Sequence, residues 1–200
     1  MKNKILVING SVSPIEKSFS VALTNLFIDE YKKNDPEAEF IHLDLNTNEM
    51  AGKTLTRENM GTYFNEKDSM AYIEQLKDVN KVIIGCPMNN FNVSGIVKNY
   101  LEHVLLANQT FSYKYSKKGD AIGLLKHLKV QILTTQGAPF GWYLFGNHTE
   151  FLKGTWEFMG AQVNSPVLLA GTKVAPVNAM DPKAAALTVK DEVIKAAKSF

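Results

Sequence analysis

Hydrophobic residues along the chain alternate between short unbroken runs and longer stretches in which they return every third or fourth position. The unbroken runs lie at Lys4 to Asn9 (KILVIN), Lys81 to Cys86 (KVIIGC) and Val130 to Thr135 (VQILTT). Apolar, largely β-branched runs without polar alternation suit strands covered on both faces. In Glu39 to Leu45 the run is interrupted by Glu39, His42 and Asp44, as an edge strand allows, and Ser165 to Ala170 completes a set of five strands.

The spaced pattern marks helices. Leu23, Leu26, Phe27 and Tyr31 define one that Asn34-Asp35-Pro36 stops, and Tyr72, Ile73, Leu76 and Val79 define a second. Ile96, Val97, Tyr100, Leu101, Val104 and Leu105 form the apolar stripe of a third, with Ser94 as its cap. A fourth runs from about His148 to Met159 and ends at Gly160, while Asp181-Pro182 gives the last helix an N-cap and a first-turn proline. Asn46 to Asn65 reads as an excursion whose only helical hint is Thr56 to Asn59. Thr110 to Tyr115 alternates aromatic and polar residues like a small hairpin arm, with Ser116 to Gly119 as its turn.

Strands alternating with helices predict an α/β fold, a doubly wound five-stranded parallel sheet with right-handed crossovers and helices on both faces. The strand count fits the order 2-1-3-4-5, with the ligand site between the loops after strands one and three, where the strand order reverses. The expectation is one domain over residues 1–200.

Composition narrows the class. With 45% hydrophobic and 21% charged residues the chain can bury a full core, and a net charge of +2 without a long basic run gives no footprint for nucleic acid. No apolar run approaches the roughly 20 residues of a membrane span. One cysteine, and an N-terminus that passes straight into a strand pattern, point to a reducing, cytoplasmic setting. His42, His103, His127 and His148 lack metal-ligand spacing, so no metal is expected; His148 reads as a surface residue at a helix start. Cys86, at a strand end before Pro87, reads as a buried, inert thiol.

Three loops carry candidate chemistry. The loop after strand one, GSVSPIEKSFS, places the hydroxyls of Ser11, Ser13, Ser18 and Ser20 before a helix N-terminus, where they either bind a phosphate or cap the helix. Neither GxGxxG nor GxxxxGK[ST] is present, which excludes the Rossmann fingerprint and the P-loop. The loop after strand three offers Met88, Asn89, Asn90 and Phe91, suited to a flat heteroaromatic ring or to an ordinary polar turn. Gln136-Gly137-Ala138, after strand four, is a small-residue loop in which Gly137 lets a ligand approach the backbone.

These residues resemble the FMN-dependent NADH azoreductases of flavodoxin-like fold, which are related to the NAD(P)H quinone oxidoreductases. The most specific parts are Pro87-Met88-Asn89-Asn90-Phe91-Asn92, the VSGIVKNYLE segment that follows, and Thr110 to Tyr113 (TFSY). The resemblance implies an FMN phosphate held by Ser11, Lys17, Ser18 and Phe19. It implies an isoalloxazine bordered by Met88, Asn89, Asn90 and Phe91 and by Thr135, Gln136, Gly137 and Ala138. Two positions depart from the pattern: Asn89 stands where many members have Tyr, and Gln136-Gly137-Ala138 where many have Arg-Gly-Gly.

The function so implied is FMN-dependent reduction of azo compounds and quinones by NADH or NADPH in a ping-pong, two-electron mechanism. No side chain acts as nucleophile, and Asn90 and the Gly137 amide are the expected ring-edge contacts. The family forms homodimers with FMN at the interface. The aromatic residues from Phe140 to Phe158 fit such an interface, a wall over the flavin, or a local core. A different class, a flavodoxin-like electron carrier that is not an enzyme, shares the cofactor; the segments Asn46 to Asn65 and Phe111 to Lys126, able to wall a substrate pocket, favour the enzyme.

Overall fold

The computed structural model describes residues 2–114 and 121–200. Strands β1 (Lys4–Asn9), β2 (Glu39–Asp44) and β3 (Lys81–Pro87) form where the apolar runs predict them. Of the predicted hairpin arm, β4 (Phe111–Ser112) pairs antiparallel with β5 (Ile122–Gly123), and the Tyr115 end and the Ser116–Gly119 turn lie outside the described residues. β6 (Lys129–Thr135) is the fourth strand of the prediction. The main sheet runs β2-β1-β3-β6, with β7 (Gln162–Val163) and β8 (Val167–Leu169) both parallel to β6. This is the anticipated 2-1-3-4-5 order, with β2 at the edge.

The fifth strand is two pieces because Pro166 has no N-H for the ladder. In the gap the buried Gln131 amide replaces it, donating to Ile132 O at 3.0 Å, the next ladder carbonyl after Val130 O, and to Ser165 O at 3.1 Å, while its Oε1 accepts from Asn164 Nδ2 at 2.7 Å. The last predicted helix is also two: α5 (Pro182–Leu187), capped by Asp181, and α6 (Lys190–Ser199). Between them the Thr188 hydroxyl bonds back to Ala185 O at 2.7 Å, and Val189 leaves helical geometry.

Alternate residues of each buried strand face opposite cores, so the runs carry no polar period. Leu6, Ile8, Val82, Ile84, Val130 and Ile132 pack under α2 (Ala71–Asp78), α3 (Gly95–Val104) and α4 (His148–Phe158). Ile5, Val7, Ile83 and Leu133 pack under α1 (Phe19–Lys32), α5 and α6. The excursion after β2 lies against α3 through a buried polar cluster. Tyr63 stacks on His103 with ring centroids 3.9 Å apart, Ser69 Oγ lies 3.0 Å from His103 Nδ1, and Lys53 pairs with Asp68 at 2.6 Å. Thr56 to Asn59 is a side-chain-closed turn, not a helix: Thr56 N donates to Asn59 Oδ1, satisfying locally what a helix would satisfy through its backbone.

Two glycines set how closely the helices cross the ends of the central strands. A Cβ on Gly10 would lie 2.2 Å from Val97 Cγ2 of α3, and one on Gly85 would lie 2.3 Å from Thr24 Oγ1 of α1. Between them, Gly10 N donates to Gly85 O at 2.8 Å. Gly10→Ala is therefore expected to destabilise the fold by about 1–3 kcal/mol through overpacking. Urea denaturation checks this, with Gly10→Ala/Val97→Ala recovering part of the loss; a Gly10→Ala protein as stable as the parent contradicts it.

Candidate functional site

The strand ends converge on one cleft of ≈ 300 Å³. Its first wall is the loop after β1. Ser18 is the N-cap of α1, its Oγ accepting from Val21 N at 3.2 Å, so the helix begins at Phe19, inside the predicted loop. The capping hydroxyl also sits 2.7 Å from Ser11 Oγ and 3.2 Å from Ser20 Oγ. Capping and hydroxyl clustering thus coexist in one loop, and Phe19 and Ser20 of the first turn of α1 line the cleft. Asn46 Nδ2 steadies the loop by donating to Ser11 O at 2.7 Å.

The second wall follows β3. Met88 N donates to Thr135 O at 2.7 Å, and Asn89 and Asn92 exchange backbone bonds of 2.8 and 3.2 Å. Between these two residues, Asn90 (φ 45°) and Phe91 (φ 70°) form a hairpin turn with two left-handed residues. Asn tolerates that geometry; Phe does so at a cost. The Phe91 ring is held by Tyr143 and Phe145, with centroids 5.1 and 4.8 Å away. Ser94 occupies the N-cap position of α3, yet its hydroxyl does not cap the helix: it donates to Gly10 O at 2.8 Å and ties the first two walls together.

The third wall follows β6 and is locked to the loop after β8. Gln136 N donates to Leu169 O, Thr172 N to Gln136 O, Lys173 N to Gly137 O and Gly171 N to Ala138 O, all within 2.9 to 3.1 Å. The Gln136 side chain turns back onto its own loop, bonding Ala138 O at 3.0 Å. What presses on Gly137 is Lys173: a Cβ there would meet Lys173 Cδ at 2.9 Å.

Of the residues singled out from sequence, Ser11, Ser13, Lys17, Ser18, Phe19, Ser20, Met88, Asn89, Thr135, Gln136 and Gly137 line this cleft together. Asn90, Phe91 and Ala138 do not; the first two occupy the exposed turn tip. Thr172 and Lys173 also line it and escaped the sequence reading. The available signal was the small-residue Gly171-Thr172 after the fifth strand, at the same sheet end as the other loops. No residue of Asn46 to Asn65 lines the cleft, so the excursion walls no pocket there.

The lining contains Lys17 and Lys173 and no acidic residue, and among the described residues neither lysine forms a salt bridge. Such a cleft takes an anion. Next to it, Met88 and Gln136 also border a ≈ 120 Å³ hollow closed by Phe140, Tyr143, Leu144 and Asn147. Cys86 is buried beneath these loops, and burial pushes its thiol up to about 12, which makes it inert.

A family model described as flavodoxin-like fold matches residues 3–193. The crystal structure of an azoreductase from Bacillus anthracis str. Sterne superposes with a TM-score of 0.80 at 21% identity, covering 99% of this chain and 100% of that one. Together these define an α/β protein of flavodoxin-like fold. The FMN-dependent NADH:quinone oxidoreductase 1 of Mesoplasma florum is 55% identical over 198 residues, covering 99% of this chain and 100% of the relative. The FMN-dependent NADH:quinone oxidoreductase of Malacoplasma penetrans is 57% identical over 198 residues, covering 98% and 93%. The chain belongs to this family of FMN-dependent NADH:quinone oxidoreductases, as the Pro87 to Asn92 resemblance implied.

His148 departs from its predicted surface role. It is 1% exposed, with its ring between the Thr135 and Cys86 carbonyls under the second and third walls and both nitrogens without a well-formed hydrogen bond. Burial lowers its pKa to about 4 from an ordinary 6.5, so the ring is neutral at pH 7. Between those values the unfolded chain binds more protons than the folded one, so stability falls as pH drops through that window. The loss approaches ~3 kcal/mol near pH 4. Urea titrations at pH 7 and 4.5 should show a smaller drop for His148→Leu than for the parent; equal drops contradict the assignment.

Proposed function

We propose that the cleft is an FMN site and that the chain catalyses reduction of quinones and azo compounds by NADH. The cleft itself carries this reading: an acid-free pocket with two unpaired lysines at one sheet end, walled by a hydroxyl-rich helix start and two small-residue loops. The residues fit the group. Ser11, Ser18 and Lys17 are the proposed holders of the phosphate, where first-turn N-H groups and the positive end of α1 favour an anion. Met88 and Asn89 on one side and Gln136 and Gly137 on the other are the proposed borders of the ring.

When bound, FMN supplies the hydride acceptance and the two-electron delivery. The protein orients the ring and sets the charge around it. The lining contains no His, Cys, Tyr, Asp or Glu, Lys17 and Lys173 are its ionisable side chains, and solvent is the proposed source of the protons of quinone reduction. Donor and acceptor take the same flat face in turn, which makes the reaction ping-pong. NADH oxidation by the FMN-loaded protein with a quinone acceptor should give parallel double-reciprocal lines. Intersecting lines, or no turnover despite bound FMN, contradict this reading.

A second copy of the chain is the proposed cover for the apolar surface beside the cleft. Phe140, Trp142, Leu144 and Phe145 are 71%, 63%, 92% and 75% exposed next to Phe91 and Tyr143, more apolar surface in one place than a monomer ordinarily leaves to water. Trp156, by contrast, is fully buried and belongs to the core. A cytoplasmic setting is proposed on the single buried Cys86, which needs no oxidising compartment; no described helix is long and apolar enough to cross a membrane. Light scattering should report a dimer that Leu144→Asp/Phe145→Asp weakens; a monomeric parent protein contradicts the proposal.

A further inference from the structure

Lys173 stands on the loop after β8, and in the sheet order β1-β3-β6-β8 that loop is three strands from the serine loop. At about 4.8 Å per strand the separation is roughly 14 Å. Lys173 nevertheless lines the same cleft as Ser11 and Ser18. It can do so only by passing over the loop after β6, and its Cβ, Cγ and Cδ lie where a Cβ on Gly137 would be, 3.5, 3.1 and 2.9 Å from it. Gly137 has no left-handed φ to explain it. Its missing side chain is the channel for the lysine stem. The backbone fixes the start of that path, since Lys173 N donates to Gly137 O at 2.9 Å. The side chain forms no salt bridge among the described residues, so its charge is free for a ligand.

We infer that Lys173, threaded across Gly137, is the cation that faces the ring end of the bound FMN and favours its reduced state. The inference rests on the FMN reading above. Lys17 sits in the serine loop and serves the phosphate, while Lys173 enters from the Gly137 side, where the ring is bordered. A ring that takes up a hydride gains one negative charge, centred on its N1 and C2 carbonyl edge. A fixed ammonium near that edge lowers the energy of the reduced form more than that of the oxidised form. Lys173 is thus a charge-placing residue, and Gly137 acts through it.

The test uses FMN-loaded protein and two readouts other than turnover: sulfite affinity, read from bleaching of the flavin band, and the equilibrium midpoint potential. Lys173→Gln should weaken sulfite binding about tenfold and lower the potential by the ~30 mV that a tenfold change in a two-electron equilibrium represents. Lys173→Arg should stay within about twofold of the parent. Gly137→Ala should shift both readouts in the same direction as Lys173→Gln and add little when combined with it, because both remove the same charge from the same place. An FMN-loaded Lys173→Gln protein with unchanged sulfite affinity and potential overturns the inference. So does a Lys173→Gln protein that loses FMN affinity but keeps riboflavin affinity, the behaviour expected of Lys17→Gln, because the lysine would then read the phosphate. A parent protein that binds no FMN overturns the functional reading itself.

Discussion

Everything in this molecule that bears on function hangs on how closely two helices can cross the ends of β1 and β3. α1 crosses at Gly85 with the Thr24 hydroxyl filling the space a Cβ would take, and α3 crosses at Gly10 with the Val97 methyl in the same relation. The crossings lie on opposite faces of the sheet, because α1 belongs to one core and α3 to the other. That is the physical content of a reversal in strand order: two neighbouring parallel strands send their chains to opposite faces, and the loops they leave behind must part. Ser94 then joins the parted loops at Gly10 O, so the gap is held at a fixed width.

Around that gap the protein uses backbone where other sites use side chains. Met88, Gln136, Gly137, Gly171, Thr172 and Lys173 are fixed through their amides or carbonyls to neighbouring strand ends and loops, and Asn89 to Asn92 across its own turn. A rigid backbone frame suits a cofactor that performs the electron chemistry itself and asks of the protein only place, orientation and charge. The charge comes from Lys17 and Lys173. The strained Phe91 turn and the aromatic run from Phe140 to Phe145 lie beside the frame, and the three ring contacts among Phe91, Tyr143 and Phe145 hold one against the other.

The strands were legible because burial on both faces removes the polar period, leaving apolar runs whose ends a proline or a polar loop marks. The breaks within the fifth strand and the last helix were not, since each depends on a partner distant in sequence or on a local side-chain bond: Gln131 reaching Ser165, Thr188 turning back on Ala185. At the site, small and hydroxylic residues at strand ends revealed three walls, and nine of the twelve residues assigned to the cofactor from sequence meet in one cleft. His148 was misread because sequence shows only that it starts a helix, whereas its burial follows from which way α4 lies on the sheet. Lys173 was missed because a lysine after a strand looks like any exposed lysine. Its role appears only when the neighbouring strand's loop is seen to have a glycine in its path, and that also changes the meaning of Gly137.

We propose that one cleft holds FMN with its phosphate on the serine loop and its ring between Met88 and Gly137. A crystal structure of the protein with FMN tests it most directly. The phosphate should lie within hydrogen-bond distance of Ser11, Ser18 or Lys17 and the ring against Asn89 and Gly137, with the Lys173 ammonium toward its N1 edge. Density for FMN elsewhere, such as the groove between α1 and α5 lined by Val21, Leu26 and Leu187, would contradict it.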